Sequence, residues 1–172
     1  MLVIENFLDK ELFSAIGASP FWRDPSFYWH SIDELDNTIG SSVVRELASR
    51  FPMKDVVGFE YWPGVLTPDT PVETTDGVKY HLDIHVDKDE LLYSRTGEMV
   101  YPLWGAVLYW CEDVEGGELR YWLSKDEFQD IPPASNQLIV FDPTAPHGVL
   151  EVSAGVRRAL SINFWGHIPT LS

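Results

Sequence analysis

The sequence predicts a mainly β protein with helices at its N-terminus: a β-sandwich or barrel backed by helices on one side. Three observations carry this. Apolar residues recur at helical spacing before Pro52 and not after it. Beyond Pro52, short runs rich in β-branched and aromatic residues follow one another, divided by turn pairs. Helices come first and strands afterwards, rather than in alternation, which is the order of a sheet protein with helical support.

The elements follow in chain order. Residues 2–4 form a short leading strand. Asp9 caps a helix over 10–17 that places Leu12, Phe13 and Ile16 on one face. Residues 20–37 hold Pro20, Pro25 and several aromatics without periodicity, and read as a loop that packs. Apolar residues at 39, 43, 44, 47, 48 and 51 predict a helix over 38–51 that Pro52 ends. Strands are expected at 55–62, 82–86, 103–110, 118–123, 137–141, 148–152 and 158–165. Turns are expected at Pro63-Gly64, Asp76-Gly77, Gly116-Gly117, Pro132-Pro133, Asp142-Pro143 and Ala154-Gly155. The stretch 64–80 reads as an inserted loop near the mouth of the barrel. No linker or repeat interrupts the chain, so one domain over 1–172 is expected, with helical support over about 1–54 and a core over about 55–166.

Composition narrows the function. Apolar residues make up 45% and aromatics 13%, enough to build a core. No run of eighteen apolar residues suggests a membrane span, and the start lacks the features of a signal peptide. A single cysteine, Cys111, precludes an internal disulfide and fits a reducing, cytoplasmic setting. The net charge of −15 argues against a nucleic acid partner, since a phosphate backbone needs the opposite sign.

The chemistry concentrates in two places. Tyr80-His81-Leu82-Asp83-Ile84-His85-Val86-Asp87 holds two His-x-Asp pairs. On a strand, residues i and i+2 point to the same side, so either pair can grip a metal. A third ligand must come from elsewhere, and His147 in Pro146-His147-Gly148 opens a later strand. Two imidazoles and one carboxylate make the facial triad of non-haem iron(II) oxygenases. Arg157 and Arg158 follow, one facing in and the other out. Arg157 shares a face with Ser161, and its planar fork suits the far carboxylate of a dicarboxylate co-substrate. Arg158 shares a face with Leu160, Ile162 and Phe164, which reads as wall packing or outer surface.

Other residues read as structural. His30 and His167 stand alone among aromatics. Cys111 is expected buried on a strand, and Trp104, Trp110, Trp122 and Trp165 in the core. Asp89, Glu90, Glu112, Asp113 and Glu115 read as solvated turns. No phosphate loop or nucleophile elbow is present.

Taken in order, several motifs resemble the iron(II)/2-oxoglutarate-dependent dioxygenases, prolyl 4-hydroxylase-like branch, over about 55–166. They are His85-Val86-Asp87, Val107-Leu108-Tyr109, Gly116-Gly117-Glu118-Leu119, Gln137-Leu138-Ile139-Val140-Phe141, Pro146-His147 and Gly155-Val156-Arg157. The opening Phe7-Leu8-Asp9-Lys10-Glu11 is also similar. The resemblance implies a double-stranded β-helix (jelly-roll, cupin-like) core. It implies His85, Asp87 and His147 as iron ligands and Arg157 as the anchor of the distal 2-oxoglutarate carboxylate. Tyr109 falls where relatives carry a tyrosine that bonds the same carboxylate, and Ser161 where they carry a hydroxyl. Trp62-Pro63-Gly64 falls where relatives have Tyr-Pro-Gly, so Trp62 replaces a polar contact.

The pair His85/Asp87 is favoured over His81/Asp83 because Asp87 runs on into Lys88-Asp89-Glu90, as in bacterial and algal members. With the other pair, every role shifts by four residues. The implied cofactors are iron(II), 2-oxoglutarate and dioxygen, with ascorbate as a candidate reductant. The implied reaction hydroxylates a C–H bond, that of a prolyl residue in a peptide or protein, with release of succinate and carbon dioxide. A small molecule or free amino acid is the alternative substrate. A non-catalytic metal-binding jelly-roll module is the alternative of another class, and the carboxylate anchor speaks against it.

Overall fold

A computed structural model describes residues 1–170. β1 (Leu2–Ile4) leads into α1 (Lys10–Gly17), whose first turn is capped as expected: the Asp9 carboxylate accepts from the Leu12 amide at 2.8 Å. α2 (Ile39–Ala48) is capped by Thr38, whose hydroxyl accepts from the Ser41 amide. It ends at Ala48, short of Pro52, and the Ser49, Arg50 and Phe51 amides satisfy the Arg45 and Leu47 carbonyls of its last turn.

The strands that follow are β3 (Gly58–Leu66), β4 (Glu73–Thr75), β5 (Val78–His85), β6 (Trp104–Gly116), β7 (Leu119–Ser124), β8 (Glu127–Ile131), β9 (Leu138–Phe141), β10 (His147–Leu150) and β11 (Val152–Trp165). Here β2 (Tyr28–Ser31) is counted before them. They form two antiparallel sheets, one in the order β1-β9-β6-β11-β3-β2 and the other β4-β5-β10-β7-β8. This is the expected mainly β class with N-terminal helices, and the facing sheets make the jelly-roll.

Alternation along β6 and β11 sorts the core into two layers. Ala106, Leu108, Trp110, Leu160, Ile162 and Phe164 pack with Ile16, Val43, Val44 and Leu47 of the helices. The intervening Val107, Tyr109 and Ala159 pack instead with Leu119, Tyr121, Ile139 and Phe141 between the sheets. The helices therefore seal one face of the larger sheet, and the other face is left to line an interior.

Several expectations need correction. Pro63-Gly64 is not a turn: it lies inside β3, past Tyr61, where pairing with β2 ends. A proline is tolerated there because no neighbour awaits its missing N–H. Ala154-Gly155 is likewise no turn but a bulge within the long β11, where the register against β6 slips on both sides of Ala154. Gly155 takes φ +73°, and a Cβ there would meet the Asp113 carbonyl at 2.2 Å. The supposed loop over 64–80 contains β4 and the start of β5, joined by a turn at Asp76-Gly77 with both φ positive.

Residues 20–37 are not all loop. A 3-10 turn (Pro20–Arg23) is followed by β2, whose Tyr28 stacks on Tyr61 at 5.0 Å. β8 and a third helix, α3 (Glu90–Thr96), lack strong periodicity and escape the sequence reading. Asp89 is no solvated turn residue: it is 5% exposed and caps α3 by accepting from the Leu92 amide. Trp110 and Trp165 are buried, whereas Trp104, Trp122 and Cys111 are only half-buried.

Candidate metal centre

The site forms where β5 runs beside β10. His85 lies opposite His147, and Leu82 lies opposite Val149, so a three-residue step on β5 faces a two-residue step on β10. The extra residue breaks the simple alternation that would put all four His-x-Asp side chains on one side. His85 and Asp87 turn toward His147. Asp83 instead accepts from the Thr75 hydroxyl at 3.0 Å, and His81 Nδ1 sits 3.1 Å from the Pro71 carbonyl. Among the described residues, one group of three His, Cys, Asp or Glu side chains has ligating atoms within 4.8 Å of one another: His85, Asp87 and His147.

The hydrogen bonds of the two rings define their chemistry. His85 Nδ1 is 2.7 Å from the Asp83 carbonyl, and His147 Nδ1 is 2.9 Å from the Ala145 carbonyl. A carbonyl only accepts, so each Nδ1 carries a proton and donates. In the neutral rings each Nε2 then has a lone pair, and these nitrogens stand 3.5 Å (His85) and 3.7 Å (His147) from Asp87 Oδ1. Two lone pairs facing a carboxylate oxygen repel unless a cation lies between them. Backbone carbonyls that orient metal-binding imidazoles are the usual outer support of such sites. The Asp87 amide donates to the Pro143 carbonyl at 3.0 Å, which ties the carboxylate to the turn before β10. The donor set thus fits an iron(II) ion with further positions open.

The charges agree. Burial pushes the Asp87 carboxyl up, but when the two rings are protonated their Nε2–H groups hydrogen-bond it, and these bonds with the ring charges outweigh burial and hold it well below the usual range. Burial pushes His85 down, and the Asp87 carboxylate with the Asp83 carbonyl reverses this, so its net shift is upward. Each shift expresses the same demand for positive charge at one point.

Behind this cluster a cavity of about 200 Å³ opens between the sheets, bordered by His85, Asp87, His147, Tyr109, Arg157 and Ser161. All six candidates from the sequence therefore meet around one space. His81 also borders it without joining the cluster. Arg157 is 4% exposed, and its Nε donates to the Gly117 carbonyl at 2.9 Å. Its Nη2 is 3.4 Å from the Tyr109 hydroxyl, and the guanidinium lies 4.8 Å from that ring's centre. No carboxylate lies within ion-pair distance of it among the described residues. A buried guanidinium without an anion is costly, and it makes a ready partner for one. Burial also pushes the Tyr109 phenol up, against the pull of Arg157, keeping it neutral and able to donate.

Gly117 makes room for this arginine. It takes φ +71°, and a Cβ there would stand 2.8 Å from Arg157 Cδ. The neighbouring Arg158 faces the other way and pairs with Glu112.

A second, larger cavity of about 510 Å³ adjoins the first and shares Trp62, Leu82, His85, Asp87 and Asn163 with it. Its far wall holds Glu60, Trp165 and Phe27. The sequence reading missed Glu60 and Asn163, because a lone polar residue in an apolar strand carries no motif. Their register, directly opposite each other on β3 and β11, is visible only in the fold. His30 and His167 lie elsewhere, stacked on Phe59 and edge-on to Trp165.

Comparison with known families decides the identity. The 2OG-Fe(II) oxygenase superfamily matches residues 72–167, more than half of the chain. The chain belongs to this superfamily. As an oxygenase of that superfamily it is an oxidoreductase, a dioxygenase whose cofactors are iron(II), 2-oxoglutarate and dioxygen. No curated protein matches the sequence.

Solved structures extend the likeness in fold. A Pseudomonas putida prolyl-4-hydroxylase superposes with a TM-score of 0.64 at 21% identity, over 95% of this chain and 83% of that one. An oxidoreductase of the 2OG-Fe(II) oxygenase family from Burkholderia pseudomallei gives 0.60 at 13% identity, over 98% and 86%. The viral collagen prolyl hydroxylase of Paramecium Bursaria Chlorella virus-1, in its 2-oxoglutarate complex, gives 0.57 at 15% identity, over 95% and 93%. The resemblance to the prolyl 4-hydroxylase-like branch therefore extends from motifs to architecture.

Proposed function

We propose that this oxygenase hydroxylates a C–H bond of a prolyl residue in a peptide or protein, with His85, Asp87 and His147 as its iron ligands. The observation that carries the assignment is the pairing of the His-Asp-His cluster with an uncompensated Arg157 across one 200 Å³ cavity. Arg157 and Tyr109 bind the distal carboxylate of 2-oxoglutarate, and Ser161 adds a hydroxyl to the same cradle. The backbone carbonyls of Asp83 and Ala145 keep both imidazoles in the tautomer that presents Nε2. Iron(II) with 2-oxoglutarate supplies the oxidising chemistry, in which one oxygen atom ends in succinate, carbon dioxide leaves, and the other oxygen converts C–H to C–OH. Ascorbate is the reductant expected to sustain turnover.

The prolyl reading draws on the architecture shared with prolyl hydroxylases, one of which is described with a hypoxia inducible factor peptide fragment from Trichoplax adhaerens. The larger cavity leaves room for a small molecule or free amino acid as a second reading. The test is succinate formation from 2-oxoglutarate with iron(II) and oxygen, alongside mass spectrometry of proline-containing peptides. A gain of one oxygen on proline is expected. Turnover with no peptide oxidised moves the substrate to the second reading. Absence of both turnover and 2-oxoglutarate binding overturns the assignment.

A further inference from the structure

Resting on that reading of the metal centre, we infer that the larger cavity selects a substrate bearing a cationic group, an amine or guanidinium, which Glu60 receives. Among the described residues four carboxylates line this cavity, and three are already committed. Asp87 faces the two imidazoles. Asp89 accepts from the amides of Leu92 and Thr170. Glu90 pairs with Lys88 at 2.7 Å, which also removes the cavity's one lysine from use as a counter-charge.

Glu60 is different. Its Oε2 accepts from the Trp165 indole at 2.9 Å, which fixes the side chain, while Oε1 has no hydrogen-bond partner among the described residues. A carboxylate oxygen held in place and left open, on the wall of a cavity that also reaches His85 and Asp87, is a receptor for a donor.

The surrounding wall favours a charged donor over a neutral one. Trp62, stacked with Phe27 at 4.8 Å, presents aromatic surface in the same cavity, while the buried Trp165 acts there through its indole N–H on Glu60. Aromatic faces attract ammonium and guanidinium groups and offer nothing to an anion. Burial raises the Glu60 carboxyl pKa against the pull of the Trp165 hydrogen bond, and the Asp89 and Asp87 charges raise it further. An incoming cation relieves both. The chain's net charge of −15 draws the same class of ligand toward the opening.

The cation has two sources: a basic side chain beside the oxidised residue of a peptide, or a free basic amino acid. The holoenzyme, loaded with iron(II) and 2-oxoglutarate, is given four probes. These are free L-lysine, free L-norleucine, and blocked Gly-Pro-Lys-Gly and Gly-Pro-norleucine-Gly peptides. Binding is read by tryptophan fluorescence and by calorimetry, and turnover by succinate. The lysine member of at least one pair is expected to bind at least about tenfold better than its neutral partner, worth about 1.4 kcal/mol. Which pair shows the preference assigns the source.

Glu60→Gln keeps an acceptor for the Trp165 indole and should abolish that preference, while Glu60→Asp should restore part of it. Affinity for 2-oxoglutarate, measured on the same samples, should not move. Equal binding of lysine and norleucine members, binding of neither, or a preference that survives Glu60→Gln overturns the inference. Selective binding through Glu60 without any 2-oxoglutarate turnover would instead leave this site standing and remove the proposed reaction.

Discussion

The two adjoining cavities share a wall at His85 and Asp87 and have opposite chemistry. Among the described residues, the smaller one ends in a buried guanidinium with no counter-ion, the larger one in a carboxylate with an open oxygen. Each unpaired charge is costly to the folded protein. On the proposed reading, their separation on either side of His85 and Asp87 sorts an anionic co-substrate to the inside and a cationic group to the mouth. Tyr109 and Gly117 serve the first cavity, and Trp165 and Trp62 the second. The scaffold beneath both is the same pair of strands, β3 and β11, read at successive inward positions.

The largest expected effect lies on the shared wall. Asp87→Ala removes the carboxylate that both imidazoles face, so iron content after reconstitution should fall to background and succinate formation with it. Asp83→Ala is the matched control. It loses a partly buried hydrogen bond from the Thr75 hydroxyl and an exposed one from the Ile84 amide, each worth about 1 kcal/mol, and should retain iron. Iron loss in the second variant rather than the first would transfer the ligand roles to the other pair.

Next in size is the anchor. Arg157→Met should weaken 2-oxoglutarate binding roughly 30-fold or more, the worth of a charged hydrogen-bonded contact of about 2 kcal/mol. Iron content should stay. The melting temperature of the metal-free variant should remain near that of the parent, because removing an uncompensated buried cation offsets the donor lost by the Gly117 carbonyl. A large drop in melting temperature would mean that Arg157 holds the fold rather than the co-substrate.

Gly117→Ala probes the same anchor more gently. The new Cβ would press on Arg157 Cδ and Val152 Cγ2, both at 2.8 Å, at a backbone φ that costs a side chain about 1–2 kcal/mol. The KM for 2-oxoglutarate should rise severalfold, less than for Arg157→Met, with a lower melting temperature. An unchanged KM would show that the arginine tolerates displacement.

The smaller cavity was far more legible in the sequence than the larger one. His147 opens β10 and Arg157 follows on β11, and alternation alone turns Arg157 inward with Ser161. The twin His-x-Asp pairs show the limit of that rule. Pure alternation puts His81, Asp83, His85 and Asp87 on one side, and only a bulge, which has no marker here, separates them. The bulge at Gly155 was misread for the same reason, since Ala-Gly signals a turn as readily as an extra residue in a strand. Glu60 was invisible because its role comes from what stands across the sheet. β2, β8 and α3 were missed because each is short and takes its stability from the strand or loop it packs against rather than from its own pattern.

The smallest effect belongs to Glu60 and concerns stability rather than turnover. Its carboxyl is raised from the ordinary value of 4.5, chiefly by burial. A raised acid binds its proton more tightly in the folded chain than in the unfolded one. Its contribution to stability is therefore complete below pH 4.5 and is lost as the pH climbs through the folded value. Glu60→Gln carries no titrating group and escapes that loss. The variant should melt above the parent at neutral pH, and the gap should close as the pH is lowered toward 4.5. A saturating cationic ligand should narrow the gap at neutral pH by stabilising the parent alone. A gap that is constant with pH would mean that the ionised carboxylate bears no penalty, and the contrast between the two cavities would then rest on Arg157 alone.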